Sequence, residues 1–156
     1  MKNNGFTLIE ILVVLLIIGI TMGFALMSFG DFGEKRRIIV AAEQFTQYVK
    51  LVQQQAILET STLGINFKND GYQVLRFKAP ASWIALPANS IFHRQHFPKG
   101  LVINLRKISH KRGTPVIIIH SSGDMTAFTL DFGTTKQATL ATIIGLRNGT
   151  ITVKSP

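Results

Sequence analysis

Hydrophobic and polar positions follow three successive patterns along this chain. Residues 6–29 form an unbroken apolar run of about 24 residues in which Glu10 is the only ionisable side chain. As a helix that run is roughly 36 Å long, enough to cross a bilayer with some tilt. The spacing then becomes helical and amphipathic. Ile38, Ala42, Phe45, Val49, Val52 and Ala56 recur at steps of three and four, placing an apolar stripe on one face, while Glu43, Gln44, Gln47, Lys50, Gln54 and Gln55 fill the others. A stripe of this kind needs a surface to bury against, and the chain's own sheet is the expected one. Gly30 and Gly33 bracket Asp31 between the two patterns, where they are expected to soften the helix. Thr60, Ser61 and Thr62 end it, through β-branching and side chains that compete for backbone hydrogen bonds.

Beyond residue 62 the period drops to two. Leu63, Ile65 and Phe67 alternate with Gly64, Asn66 and Lys68, and Asn69-Asp70-Gly71 then marks a hairpin into residues 72–78. A looser stretch carrying Pro80, Pro87 and Pro98 holds the short apolar piece Trp83-Ile84-Ala85-Leu86. Strand character returns at 101–106, 116–119, 125–132, 138–146 and 150–154. Turns are expected at Ser121-Ser122-Gly123-Asp124, at Gly133-Thr134-Thr135-Lys136 and, as a type I′ turn, at Asn148-Gly149. One long helix followed by about seven short strands predicts an α+β fold: a long N-terminal helix, transmembrane then amphipathic, packed on a mostly antiparallel β-sheet. The corresponding boundaries are a leader at 1–5, a membrane helix at 6–29, the rest of the helix at 30–62 and a β-rich domain at 63–156.

Glu10 is the informative residue of the apolar run. A carboxylate within a membrane helix costs about 2.5–3.5 kcal/mol on insertion scales, so it calls for a partner. The nearest cation by sequence is the amine that a cut after Gly5 would create on Phe6. Lys2, then Gly5-Phe6-Thr7-Leu8-Ile9-Glu10, then a long aliphatic helix, resembles the class III signal of type IV pilins and type II secretion pseudopilins. The resemblance implies cleavage after Gly5 by a prepilin peptidase, N-methylation of Phe6, and pairing of Glu10 with the terminal amine of a neighbouring subunit. Independently of any family, a buried pair of this kind is a weak source of net stability but sets the axial register between helices. A cleaved secretory signal fits less well, because its apolar core is about 7–15 residues.

The carboxy-terminal half narrows the resemblance. The stretch Val116-Ile117-Ile118-Ile119-His120-Ser121-Ser122-Gly123-Asp124-Met125-Thr126-Ala127-Phe128-Thr129-Leu130 is similar to the H-type minor pseudopilins of type II secretion. Asp124 and Ala127 stand where those have glutamate and proline. Tyr72-Gln73-Val74-Leu75, Trp83-Ile84-Ala85-Leu86 and Ile144-Gly145-Leu146-Arg147-Asn148-Gly149 fit the same group. The resemblance implies a pilin-like subunit of the bacterial inner membrane with its domain in the periplasm. It would assemble with the major pseudopilin and other minor pseudopilins near the tip of a pseudopilus that drives folded proteins across the outer membrane. Charge alone points the other way round: Lys35, Arg36 and Arg37 follow the apolar run and only Lys2 precedes it.

Composition adds bounds. The chain has 156 residues, no cysteine and a formal net charge of +9, so disulfides and thiolate metal sites are excluded. Much of the positive charge falls in one stretch, at Arg94, Lys99, Arg106, Lys107, Lys111 and Arg112. That gives a second reading, in which a minor pilin of the DNA-uptake type grips nucleic acid through these residues. No aromatic residues alternate with the charges as a stacking platform requires. His93 and His96 have a metal-like gap without a third ligand nearby. His120-Ser121-Ser122 lacks a nucleophile elbow. No phosphate loop or dinucleotide fingerprint is present. The expectation is a structural protein without cofactors, itself the substrate of a peptidase at Gly5.

Overall fold

The computed structural model describes residues 7–68, 70–87, 89–106 and 113–155, apart from the side chains of residues 26–32. Helix α1 spans Leu8–Leu58, its hydrogen bonding passing through Gly30 and Gly33. The chain divides into two compact units, Met1–Arg36 and Arg37–Pro156. In the first, the apolar side chains from Leu8 to Phe24 stand exposed. The window Leu8–Ala25 is long and apolar enough to cross a membrane. Its one hydroxyl is internally satisfied, since Thr21 Oγ1 donates to the carbonyls of Ile17 (2.9 Å) and Ile18 (3.0 Å).

In the second unit the predicted stripe is the core. Ile38, Ala42, Phe45, Val49, Val52 and Ala56 are all buried. Phe45 anchors an aromatic cluster, with ring centroids 4.9 Å from Tyr72, 5.6 Å from Phe67 and 5.8 Å from Phe132. Tyr48 packs edge-on against Tyr72 at 4.9 Å. Burial pushes the Tyr72 hydroxyl up to about 12. It raises the Tyr48 hydroxyl too, with the neighbouring Tyr72 adding to the effect.

The helix ends in a Schellman arrangement built around Thr60. Ser61 N–H donates to Ala56 O (3.0 Å) and Thr60 N–H to Ile57 O (3.2 Å), with Thr60 in the left-handed region at φ 49°. Glycine is the usual residue there, because a Cβ costs about 1–2 kcal/mol in that conformation. Thr60→Gly is therefore expected to raise stability by about 0.5–1 kcal/mol after its own entropic cost. Chemical denaturation of the full chain in detergent checks this. A Gly variant no more stable than Thr60→Ala, which keeps the strain, sinks the assignment.

Nine strands follow the helix among the described residues: β1 (Leu63–Lys68), β2 (Gly71–Lys78), β3 (Ser82–Ala85), β4 (Gln95–His96), β5 (Val102–Arg106), β6 (Ile117–Ile119), β7 (Phe128–Gly133), β8 (Ala141–Gly145) and β9 (Ile151–Lys154). The α+β expectation holds, but the single sheet becomes two, both wholly antiparallel. One has the order β3-β2-β1-β6 with β4 also on β2; the other is β5-β7-β8-β9. The chain leaves the first sheet through the proline-bearing stretch before β5 and returns to it only for β6. Alternation along a strand reports its faces and not which sheet it joins. The helix stripe, Leu63, Ile65, Val74, Ile117 and Ile119 of one sheet, and Phe128, Leu130, Phe132 and Ile143 of the other, share one core.

Two strands escape the pattern. β3 is the apolar piece of the loose stretch, held by the Phe77–Trp83 ring contact at 5.3 Å. β4 is two residues long and pairs Gly71 with His96 and Tyr72 with Gln95. Gly71 is needed there: a Cβ on it would lie 2.0 Å from Gln95 O. Strand β7 begins at Phe128 rather than residue 125, because Met125 bridges Ile119 and Thr126 N–H donates to Ile118 O (2.8 Å). Strand β8 begins at Ala141, not 138.

Candidate assembly site

The first candidate site is the amino end of α1. Thr7 O accepts from Glu10 N–H (3.1 Å) and Ile11 N–H (3.4 Å), opening the helix. Glu10 lies in the first turn and its side chain is exposed. A carboxylate there also meets the positive end of the helix dipole, a favourable interaction. The cleavage and methylation positions, Gly5 and Phe6, lie outside the described residues.

The second is the pair of tight turns that carry the carboxy-terminal motif. Gly123 N–H donates to His120 O (2.9 Å), and Gly149 N–H donates to Leu146 O (3.1 Å). The two glycines have φ of 89° and 85°, a region open to glycine and strained for other residues. Asn148 does not share that region, so the predicted type I′ turn is corrected. The chain closes as a tight turn followed by a left-handed glycine, with Leu146 N–H donating to Thr150 O (2.9 Å). Gln53 of α1 joins both turns: its Nε2 donates to Gly123 O (2.7 Å) and Gly149 O (3.3 Å). A Cβ on Gly149 would stand 2.2 Å from that nitrogen. Gln53 has no signal in the sequence beyond its place beside the core stripe. Its role is visible only once residues 70 and 96 positions away come together.

The third is the basic stretch. Arg94 is ion-paired with Asp70, which His96 also approaches at 3.5 Å. Arg106 is ion-paired with Asp131. Lys99 is exposed, and Lys107, Lys111 and Arg112 lie outside the described residues. Asp131 is a buried carboxylate, and its other oxygen accepts from Thr142 Oγ1 at 2.7 Å. The Arg106 guanidinium holds its carboxyl below the usual range against the opposing effect of burial, with help from the Thr142 hydroxyl. A depressed folded value makes the contribution present above the unfolded aspartate pKa, and lost as pH falls through the folded one. The stability gap between the wild type and Asp131→Asn is therefore expected to be flat above about pH 5 and to narrow as pH falls below the ordinary aspartate value of about 3.9. Denaturant titrations across that range check it, and a gap independent of pH rules the pair out as its source.

Comparison with known proteins completes the picture. Residues 1–26 match the profile described as the prokaryotic N-terminal methylation motif, and residues 41–149 match type II transport protein GspH. The type II secretion system protein H of Pseudomonas aeruginosa is 31% identical over 140 residues, covering 82% of this chain and 81% of that one. The chain belongs to the type II secretion protein H family. Its relative in Escherichia coli K12, also a type II secretion system protein H, is 27% identical over 136 residues, covering 83% of this chain and 80% of its own. In fold the chain is similar to the minor pseudopilin EpsH of Vibrio cholerae, with a TM-score of 0.65 at 19% identity over 77% of this chain and 96% of that one. It is equally similar to the solution structure of E. coli GspH, at a TM-score of 0.65, 18% identity, and 78% and 89% coverage.

As a member of this family the chain is a minor pseudopilin of type II secretion, a structural subunit. The motif glycines Gly123 and Gly149, with their clamp Gln53, fall inside the matched region. The DNA-uptake reading gains no support from these relatives. The geometry also weakens it, because Arg94 and Arg106 are committed to carboxylates of their own domain.

Proposed function

We propose that the chain is processed and assembled through its amino end. A prepilin peptidase removes residues 1–5, Phe6 becomes the N-methylated terminus, and residues 6–29 hold the subunit in inner-membrane lipid with residues 30–156 in the periplasm. On assembly, Glu10 meets the terminal amine of a neighbouring pseudopilin, major or minor. The subunit then sits near the tip of a pseudopilus that drives folded proteins through the outer membrane. The observation that carries this reading is the lone carboxylate in the otherwise apolar, exposed segment Leu8–Ala25 of α1. The matched methylation motif covers the same residues.

The measurement that tests processing is the amino-terminal mass of the membrane-extracted protein. The expected species starts at Phe6 and is heavier by one methyl group. An intact Met1 in cells with an active peptidase overturns the reading.

A further inference from the structure

The domain carries an open cleft between its two sheets, walled by β1 and β5, whose edges are partly unpaired among the described residues. Strand β1 pairs with β6 only as far as Ile65, opposite Ile117. Beyond that point residues 66–68 pair with β2 alone, among the described residues. Strand β5 lies at the end of the second sheet and, among the described residues, pairs only with β7. Phe67 and Lys68 of β1, Phe97, Leu101, and Ile103 and Leu105 of β5 line one cleft of about 310 Å³. All the lining side chains but Lys68 are apolar, and Phe67 and Phe97 stack at 6.2 Å. Leu105 is 45% exposed, unusual for a large aliphatic side chain whose register partner, Leu130, is wholly buried.

Unpaired edges template an added strand, and an apolar floor beneath them takes alternate side chains of an extended chain. The lining carries one cation: Lys68 is exposed and makes no ion pair among the described residues. The acid nearest to Lys68 in sequence, Asp70, is already committed to Arg94.

We propose that this cleft receives an extended segment of a neighbouring pseudopilus subunit, one whose apolar residues alternate with acidic ones, and that the segment pairs with the edge of β1 or β5 that the described residues leave open. Strand pairing supplies affinity, the apolar lining takes the apolar side chains, and Lys68 selects for acids. The occupant's identity rests on the pseudopilin reading, whereas the cleft's preference for such a strand rests on the geometry alone.

The test uses the full chain in detergent micelles and the synthetic peptide acetyl-Glu-Val-Glu-Val-Glu-Val-amide, with amide hydrogen exchange as the readout. Slowed exchange is expected at residues 66–68 or 102–106. Binding is expected to weaken about tenfold when the glutamates become lysines, when alternate peptide nitrogens are methylated, or when the protein carries Leu105→Glu. Lys68→Glu leaves the apolar lining intact and is expected to weaken the acidic peptide alone. Equal binding of the lysine or N-methylated peptide overturns the proposal, as does no protection at millimolar peptide. Concentration-dependent dimers abolished by Leu105→Glu overturn it in favour of a second copy of this chain. A chain that starts at methylated Phe6 and supports secretion, yet ignores the peptide, sinks the cleft and leaves the pseudopilin reading standing.

Discussion

Phe45→Ala is expected to cost about 3–5 kcal/mol of domain stability, the range for truncating a fully buried aromatic side chain. Phe45 is 1% exposed and is the residue through which the helix grips both sheets. Its ring touches Phe67 and Tyr72 of the first sheet and Phe132 of the second. Removing it opens a cavity between three elements that cannot all close on it at once. A domain of this size has about 5–15 kcal/mol in total, so the loss is a large fraction. It should appear as a fall in Tm of roughly 10–20 °C. Phe45→Leu keeps most of the volume and is expected to lose less than half as much. The check is thermal and denaturant unfolding of the full chain in detergent, with wild type and both variants side by side. A loss below about 1 kcal/mol for the alanine variant means that the core is not organised around this ring.

The position of Phe45 was legible before any coordinates, because a period of 3.6 leaves only one way to line up Ile38, Ala42, Phe45, Val49, Val52 and Ala56. All six are buried. The β1–β2 hairpin was legible for a similar reason, since Asn69-Asp70-Gly71 is local and its turn sets the register that pairs Lys68 with Gly71. The division into two sheets was not. Strand β6 pairs with β1, more than 50 residues earlier in the chain, and nothing in Ile117-Ile118-Ile119 states which partner it seeks. The same limit applies to the charges. Arg94 and Arg106 read as free cations in a basic stretch because their partners, Asp70 and Asp131, are 24 and 25 residues away. A signal for the second pair was available in Leu130-Asp131-Phe132, where an acid between two core residues asks for a nearby cation. Glu10 needed no such reach, being conspicuous against a run with no other charge.

Glu10→Ala is expected to leave synthesis and membrane insertion intact while impairing assembly and secretion, and Glu10→Lys is expected to impair them more. An alanine helix inserts more readily, since it no longer carries the roughly 2.5–3.5 kcal/mol cost of the acid. A defect in the alanine variant therefore cannot come from a failure to enter the membrane. What it loses is the penalty on wrong axial stagger that a paired charge imposes. Lysine goes further by setting two positive groups against each other. Glu10→Asp keeps the charge on a shorter arm and is expected to recover part of the function. The alternative role is local: an acid in the first turn of α1 also complements the helix dipole, worth about 0.3–1 kcal/mol. The two roles separate on Glu10→Asp and Glu10→Lys. A dipole role makes aspartate fully equivalent to glutamate and lysine only mildly harmful, whereas a pairing role makes lysine abolish assembly. Secretion assays and cross-linking of the terminal residues in assembled pseudopili decide between them. Normal secretion by both the alanine and lysine variants would show that assembly does not depend on the charge at this position.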